Sequence, residues 1–232
     1  MHDEAIREAL WEAAAPFQAA PPPPACTLVY GPLFAALAPH GPSDYPLALE
    51  FVYEGYLAHY RSPRLLAADT TPATRLLAGD HFDASGLRLV ARTGDLDAVR
   101  LLTRLMASCS SLRAEGRPYA YDDDLWALCV AGMASNATGG NAFAALRAFD
   151  EITSLFARGR SERLPDVVRR TAPTLWLTDP APLLSILGLA PARADGEAGT
   201  AGERPGGEAG ASRDDAGEGP GAAGAIRAEA AR

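Results

Sequence analysis

Apolar residues recur every three or four positions along most of the first 190 residues, a spacing that places them on one face of an α-helix. The clearest run covers residues 96–115, where the apolar side chains share one face. They are Val99, Leu102, Leu105, Met106, Cys109 and Leu112. No segment shows a sustained alternation of apolar and polar residues that would favour a strand instead. The pattern therefore predicts an all-α fold.

Capping residues, glycines and prolines divide this pattern into separate helices. Helices are predicted at 3–14, 27–37, 44–61, 71–91, 96–115, 124–135, 141–157, 161–171 and 182–189. Pro32 lies inside the second of these and predicts a helix that is kinked or begins late. Because the loops are mostly three to ten residues long, neighbouring helices should run antiparallel and form one helical bundle.

Changes in composition predict four segments. Residues 1–20 hold an N-terminal helix, four prolines at 21–24 form a stiff connector, and 25–190 form the helical domain. The remainder, 191–232, contains 13 Ala, 10 Gly, 8 acidic residues and 5 Arg. Such a segment buries too little apolar surface to offset the entropy of ordering it, so a disordered tail is predicted.

The chain has 21 arginines and no lysine. This excludes Schiff-base and phosphate-loop lysines, and a codon bias of a GC-rich genome explains the absence most simply. The net charge of −8 and the lack of a basic cluster argue against nucleic-acid binding.

Three widely spaced cysteines, Cys26, Cys109 and Cys129, favour reduced thiols over disulfides or a zinc site. Asp3 and Glu4 stand where a secretory signal needs positive charge. No apolar run approaches the length of about 18 residues that a membrane span needs. A cytoplasmic protein without a transmembrane segment is therefore predicted.

Few residues suggest chemistry. Asp80 and Asp83 share a helix face and are weak candidates for a metal site, although salt bridges to Arg88 and Arg92 explain them more simply. The run 122–124 of three aspartates is best explained as a cap and first-turn anions of the next helix. His59 suits the C-terminal end of its helix as a dipole partner. No catalytic motif is present, so no catalytic residue is assigned.

The stretch 75–82 (RLLAGDHF), followed by 87–90 (LRLV) and Gly94-Asp95, resembles the trans-isoprenyl (polyprenyl) diphosphate synthases. In that family, LAGD and an aromatic residue open the helix after the first aspartate-rich motif. The resemblance covers 47–115 and is most specific at 77–80 and 94–95. It implies an isoprenoid-synthase-like helical fold in which the helix 47–60 should end in His-Asp-Asp-x-x-Asp.

Here that helix ends in His59-Tyr60-Arg61-Ser62-Pro63-Arg64, so the histidine matches and the aspartates are absent. The basic segment expected near 24–32 carries no charge, and neither 150–151 nor 122–124 reproduces the second aspartate-rich motif. The pattern is most similar to the small, non-catalytic subunit of two-component heptaprenyl diphosphate synthases.

This resemblance implies a non-catalytic subunit that pairs with a catalytic polyprenyl diphosphate synthase and supports chain elongation in the biosynthesis of isoprenoid quinone side chains. No cofactor of its own is then expected, and Mg²⁺ acts only through the partner. Candidates for a tunnel wall or subunit interface, which serve equally well as plain core, are Phe51, Tyr53, Tyr56, His59 and Phe82.

Two alternatives remain open at this point. One is a divergent but active prenyltransferase that uses an allylic diphosphate with Mg²⁺ and depends on Asp80. The other is an unrelated all-helical adaptor or maturation chaperone.

Overall fold

The computed structural model describes residues 3–17, 26–177 and 179–188, and all regular structure within them is helical. The described α-helices are α1 (Asp3–Ala14), α2 (Tyr30–Leu37), α3 (Tyr45–Tyr60), α4 (Pro72–Arg92), α5 (Leu96–Ala114), α6 (Ala120–Ala137), α7 (Phe143–Ala157), α8 (Leu164–Thr171) and α9 (Ala181–Ile186). The all-α prediction is confirmed. The predicted connector 21–24 and tail 191–232 lie outside the described residues.

Most helix ends fall where local chemistry predicts them. The Thr71 hydroxyl caps α4 by accepting the Thr74 N–H at 3.2 Å. The preceding α2 begins late, at Tyr30, which places Pro32 in its first turn, where no N–H is needed. Gly116 has a φ of +63°, which suits the end of α5.

The start of α6 differs from the prediction. This helix begins at Ala120, four residues before the predicted 124, so Asp122 lies within the helix and is fully buried. Most of α6 from Leu125 to Ser135 is buried as well, because α2, α5, α7 and α8 all pack against it. A helix buried on all sides is apolar all round and gives no clear amphipathic signal for its ends.

The core is continuous through the described residues. Its largest fully buried side chains are Trp126, Tyr45, Phe34, Phe82, Phe149, Ile6, Leu10, Leu37, Leu49, Leu101, Leu102 and Leu105. Not every apolar residue contributes to it: Leu76 and Leu77 on α4 are 58% and 61% exposed.

Helices α3 and α4 pack antiparallel and very closely. A Cβ atom added at Gly86 would lie 2.5 Å from Val52 Cγ2 and 2.6 Å from the Ala48 carbonyl oxygen. Further along the pair, Gly79 lies against the ring of His59, and Gly55 lies against the carboxyl group of Asp83. The glycines therefore let the two backbones approach and bring the end of α3 against the first half of α4.

None of the helices in the described part of the chain combines the length and the apolar character needed to cross a lipid bilayer.

Candidate functional site at the end of helix α3

The close packing of α3 and α4 brings together three of the residues that the sequence singled out. The His59 Nε2 atom lies 3.4 Å from Asp80 Oδ1 and 3.5 Å from Asp83 Oδ2. Asp80 is largely exposed, whereas Asp83 and His59 are mostly buried. The imidazole nitrogen thus lies between the two carboxyl groups.

Burial, together with the neighbouring Asp80, raises the pKa of Asp83 to about 7. The carboxyl group can therefore hold a proton near neutral pH. The prediction that Asp80 and Asp83 form salt bridges with Arg88 and Arg92 was wrong. Arg92 instead pairs with Asp44 at 3.2 Å. Among the described residues, no group of three or more His, Cys, Asp or Glu side chains is arranged to hold a metal ion.

The segment that follows α3 is fixed by an arginine between two buried glutamates. Arg64 Nε donates to Glu54 Oε2 at 2.7 Å, and Arg64 Nη1 donates to Glu50 Oε2 at 2.8 Å. Both glutamate side chains are fully buried. Burial lowers the pKa of Arg64, but Glu54 and Glu50 more than offset this effect, so the guanidinium stays charged.

The remaining oxygens of these glutamates accept backbone N–H groups. Glu50 Oε1 accepts from Val29 and Gly31 at the start of α2, at 2.6 and 2.9 Å. Glu54 Oε1 accepts from Arg64 and Leu65 at 2.8 and 3.0 Å. The network is fully satisfied and ties the start of α2 and the segment 64–65 to α3. Its carboxylates are therefore engaged within the chain.

A second buried acid lies on the other side of α3. The Tyr56 hydroxyl donates to Asp122 Oδ2 at 2.6 Å, and Arg113 Nη2 lies 3.1 Å from the same oxygen. Burial raises the pKa of Asp122 to about 6, although Tyr56 and Arg113 both act to lower it. The prediction that the aspartates 122–124 include first-turn anions is confirmed for Asp122 and Asp123. The predicted capping role was wrong, because α6 begins at Ala120 after Tyr119, and this earlier start turns Asp122 inward.

Three polar atoms around this acid have no hydrogen-bond partner in the described structure: Asp122 Oδ1, Arg113 Nε and Trp126 Nε1. Asp122 and Trp126 are one helical turn apart on α6.

The end of α3 is closed by a tyrosine between two arginines. The guanidinium carbons of Arg61 and Arg113 lie 4.3 and 4.0 Å from the centre of the Tyr119 ring. The Tyr119 hydroxyl donates to the Tyr60 carbonyl oxygen at 2.6 Å. Two guanidinium groups therefore lie close to the position at which the family resemblance expects aspartates, and that of Arg113 is paired with Asp122.

The five tunnel or interface candidates divide between the two sides of α3. Phe51 stacks near Phe82 with 6.2 Å between ring centres, on the same side as His59. Tyr53 and Tyr56 face the Trp126 ring at 5.3 and 6.0 Å. Phe82, Phe51 and Tyr56 are buried, at 0%, 7% and 6% exposure, and Tyr53 is half-buried. All five pack within the bundle, and a tunnel or interface role for them stays a prediction.

Sequence reasoning missed the network of Arg64. The available signal was a pair of glutamates four residues apart, Glu50 and Glu54, in a helix that is otherwise almost free of charge. Two acids on one face of so apolar a helix predict a basic partner. The sequence does not say that the partner is Arg64, since a loop supplies it.

No family model, no curated protein and no solved structure matches this chain.

Proposed function

We propose that this chain is a non-catalytic, isoprenyl-synthase-like subunit that associates with a catalytic polyprenyl diphosphate synthase in the cytoplasm. In this role it supports chain elongation in the biosynthesis of isoprenoid quinone side chains. The proposal rests on the resemblance at 75–82 and 94–95 and on the chemistry at the end of α3.

One observation carries the non-catalytic part of the proposal. At the position where the resemblance expects carboxylates that hold Mg²⁺ and the diphosphate, the chain has Tyr60, Arg61 and Arg64. The nearest α3 carboxylates, Glu50 and Glu54, are buried and bound to Arg64 and backbone N–H groups. Ionisation of an allylic diphosphate needs its negative charge neutralised as the bond breaks, and these residues do not provide metal ligands for that step.

An exposed apolar surface supports association with a partner. We name the end patch as Leu96, Phe143 and Trp176, which are 66%, 63% and 72% exposed. Leu96 begins α5 and Phe143 begins α7, and an ion pair of 2.8 Å between Arg104 and Asp150 holds these two helices side by side.

Trp176 belongs to the same end of the bundle, since its backbone carbonyl oxygen accepts the Thr138 hydroxyl at 3.3 Å, beside the α6–α7 turn. Large apolar side chains exposed together are typical of protein contact sites. We assign the end patch to the synthase contact.

The proposal is tested by co-expression with a synthase from the same organism that carries both aspartate-rich motifs. We expect the two chains to co-purify and the polyprenyl product, analysed by mass spectrometry, to be longer than that of the synthase alone. The double variant Phe143→Ser/Trp176→Ser should lose both effects, whereas Arg100→Ala, on the exposed face of α5, should keep them.

Two results would overturn it. In one, the chains do not co-purify and the product length is unchanged. In the other, the isolated chain releases diphosphate from an allylic diphosphate with Mg²⁺ and loses this activity in Asp80→Ala, which identifies a divergent prenyltransferase. Capture of an unrelated folding enzyme subunit in place of the synthase would favour the adaptor or chaperone alternative.

A further inference from the structure

Helix α1 contacts the rest of the bundle through a narrow apolar stripe. Ile6, Leu10 and Ala14 follow one another at intervals of four residues and are almost completely buried, and the helix packs against α3. The opposite side of α1 carries Glu8 and Glu12, both exposed. The fully buried part of this contact is therefore a single line of side chains.

Polar contacts add little to the attachment of α1. Across the residues that the structure describes, one hydrogen bond joins α1 to another part of the chain, from Arg7 Nε to the Cys26 carbonyl oxygen at 3.0 Å. The ion pair of Arg7 with Glu4 lies within the helix itself. Just beyond the helix, the rings of Phe17 and His81 lie 5.4 Å apart between centres. The attachment is therefore mainly apolar.

The length of α1 makes the helix dependent on this attachment. It has 12 residues, and an isolated helix of this length is marginal in water. Loss of the contact with α3 should therefore release the helix as a whole. Such a segment behaves as a cooperative unit that opens at a lower free-energy cost than the complete fold.

The surface beneath α1 is apolar and includes a thiol nearby. Most of α3 is buried, because α1, α2 and α4 all pack against it. Cys26, which is half-buried, lies next to α1 through its bond to Arg7. Release of α1 would uncover one side of α3 and the Cys26 thiol, while the contacts of α3 with α2 and α4 remain.

We propose that α1 is a cover that opens as a unit while the bundle formed by α2 to α9 stays folded. Opening exposes one side of α3 together with Cys26, and closing buries both again. The accessibility of this surface is then set by the contact of α1 and not by the stability of the whole molecule. This proposal does not depend on the proposed function, which uses the end patch.

The test measures how fast each thiol of the full chain reacts with a disulfide reagent in urea below the unfolding transition, with peptide mass spectrometry to separate the three cysteines. We expect the rate of Cys26 to rise only slightly with urea, because the opening of α1 exposes little surface. The rates of the buried Cys109 and Cys129 should rise steeply, because these thiols wait for global unfolding.

Two fully buried leucines provide a matched pair of variants. Leu10→Ala weakens the contact of α1 and should accelerate Cys26 by about 30-fold or more. Leu102→Ala on α5 should accelerate the two buried thiols by a similar factor and leave Cys26 unchanged, because Leu102 stays packed while α1 opens. The milder Ile6→Val should accelerate Cys26 by about threefold and replaces Leu10→Ala if circular dichroism shows that variant to be unfolded.

Three results would overturn the proposal. In the first, Cys26 of the folded wild type reacts as fast as in the unfolded chain, or its rate does not respond to Leu10→Ala and Ile6→Val. In the second, all three thiols show the same dependence on urea. In the third, Leu102→Ala accelerates Cys26 as much as it accelerates the two buried thiols, which would mean that Cys26 is reached only by global unfolding.

Discussion

Arg64 is the residue on which the charge balance of the interior depends. Two fully buried glutamates face it, and three of their four carboxylate oxygens take their partners from Arg64 and Leu65. The fourth, Glu50 Oε1, accepts from Val29 and Gly31. A buried carboxylate without a cation is far less stable than one in water. The side chain therefore acts as an internal counter-ion.

We expect Arg64→Ala to lower the free energy of unfolding by about 3–5 kcal/mol, because it leaves two buried charges uncompensated. Arg64→Lys should recover only part of this loss, since one ammonium group cannot reproduce the fork that reaches both glutamates. Urea denaturation followed by circular dichroism measures both. The control Arg100→Ala removes an exposed ion pair and should lower stability by less than about 1 kcal/mol; equal losses in Arg64→Ala and the control would contradict the expectation.

Asp83 makes a contribution to stability that depends on pH. Its pKa is raised from 3.8 in the unfolded chain to about 7 in the fold, mainly by burial. The folded state therefore holds more protons between these two values, so this contribution is fully present below pH 3.8 and is lost as the pH rises through 7.

We expect Asp83→Asn, which resembles the protonated acid, to become more stable relative to wild type by about 1–3 kcal/mol as the pH rises from 5 to 8. Urea titrations at several pH values measure this difference. The more exposed Asp80→Asn provides the comparison and should show a smaller change. A constant difference between Asp83→Asn and wild type over this range would show that the acid is ionised throughout.

For individual residues, sequence reasoning identified candidate groups but not their partners. Asp80, Asp83 and His59 were recognisable as chemical groups, yet their meeting depends on glycines that let two helices approach. The burial of Asp122 was missed because its direction follows from a helix start that tertiary contacts decide. Such contacts join residues distant in the chain, and local spacing carries no information about them.

Among the helices, α5 begins with an N-cap residue, Asp95, whose carboxylate accepts four hydrogen bonds. Asp95 Oδ1 accepts the N–H groups of Asp97 and Ala98 at 3.1 and 2.9 Å. Asp95 Oδ2 accepts the Tyr45 hydroxyl at 2.8 Å and the Asn136 amide at 2.7 Å. One carboxylate therefore caps α5 and also fastens the start of α3 and the end of α6.

We expect Asp95→Ala to lower the free energy of unfolding by about 3 kcal/mol, roughly 1 kcal/mol from the cap and the rest from two longer-range hydrogen bonds. Thr71→Ala is the matched control, because Thr71 caps α4 through the single bond to Thr74 and its loss should remove only about 1 kcal/mol. Thermal or urea unfolding measures both variants. Similar losses in the two would mean that the bonds to Tyr45 and Asn136 add nothing.

The sequence predicted helix boundaries well where capping residues or prolines mark them. Thr71 and Asp95 cap helices where their side chains predict it, and Pro32 delays α2 as expected. The prediction failed in detail at α6, where burial on all sides removes the amphipathic signal. The exposure of Leu76 and Leu77 could not be predicted from the local pattern either. Apolar spacing does not show which of these residues will be covered by another helix.

For the molecule as a whole, the helical class was predictable because periodicity is strong along most of the described chain. The order in which the helices pack was not predictable, since it depends on contacts such as those of α6 with five other helices. The buried cysteines offer a way to measure how cooperatively this arrangement holds. Cys109 and Cys129 are 2% and 0% exposed, while Cys26 is half-buried.

We expect one thiol, that of Cys26, to react first with a disulfide reagent at pH 8. Burial raises the pKa of all three thiols and makes Cys109 and Cys129 inert in the folded state. Their reaction should wait for global opening, so both should react together and slowly. Absorbance of the released thiolate follows the reaction, and chain unfolded in urea provides the control. Rapid reaction of all three thiols without denaturant would contradict a cooperative bundle.

The two oxygens of Asp95 also separate two stages in the formation of the molecule. One oxygen serves groups two and three residues away, which a nascent helix can supply by itself. The other serves side chains 50 and 41 positions distant in the chain, which meet only after the chain has collapsed. The same carboxylate can thus be bonded on one side while the other is still hydrated, so the helical turn at 95–98 can form early and the closure of the bundle late.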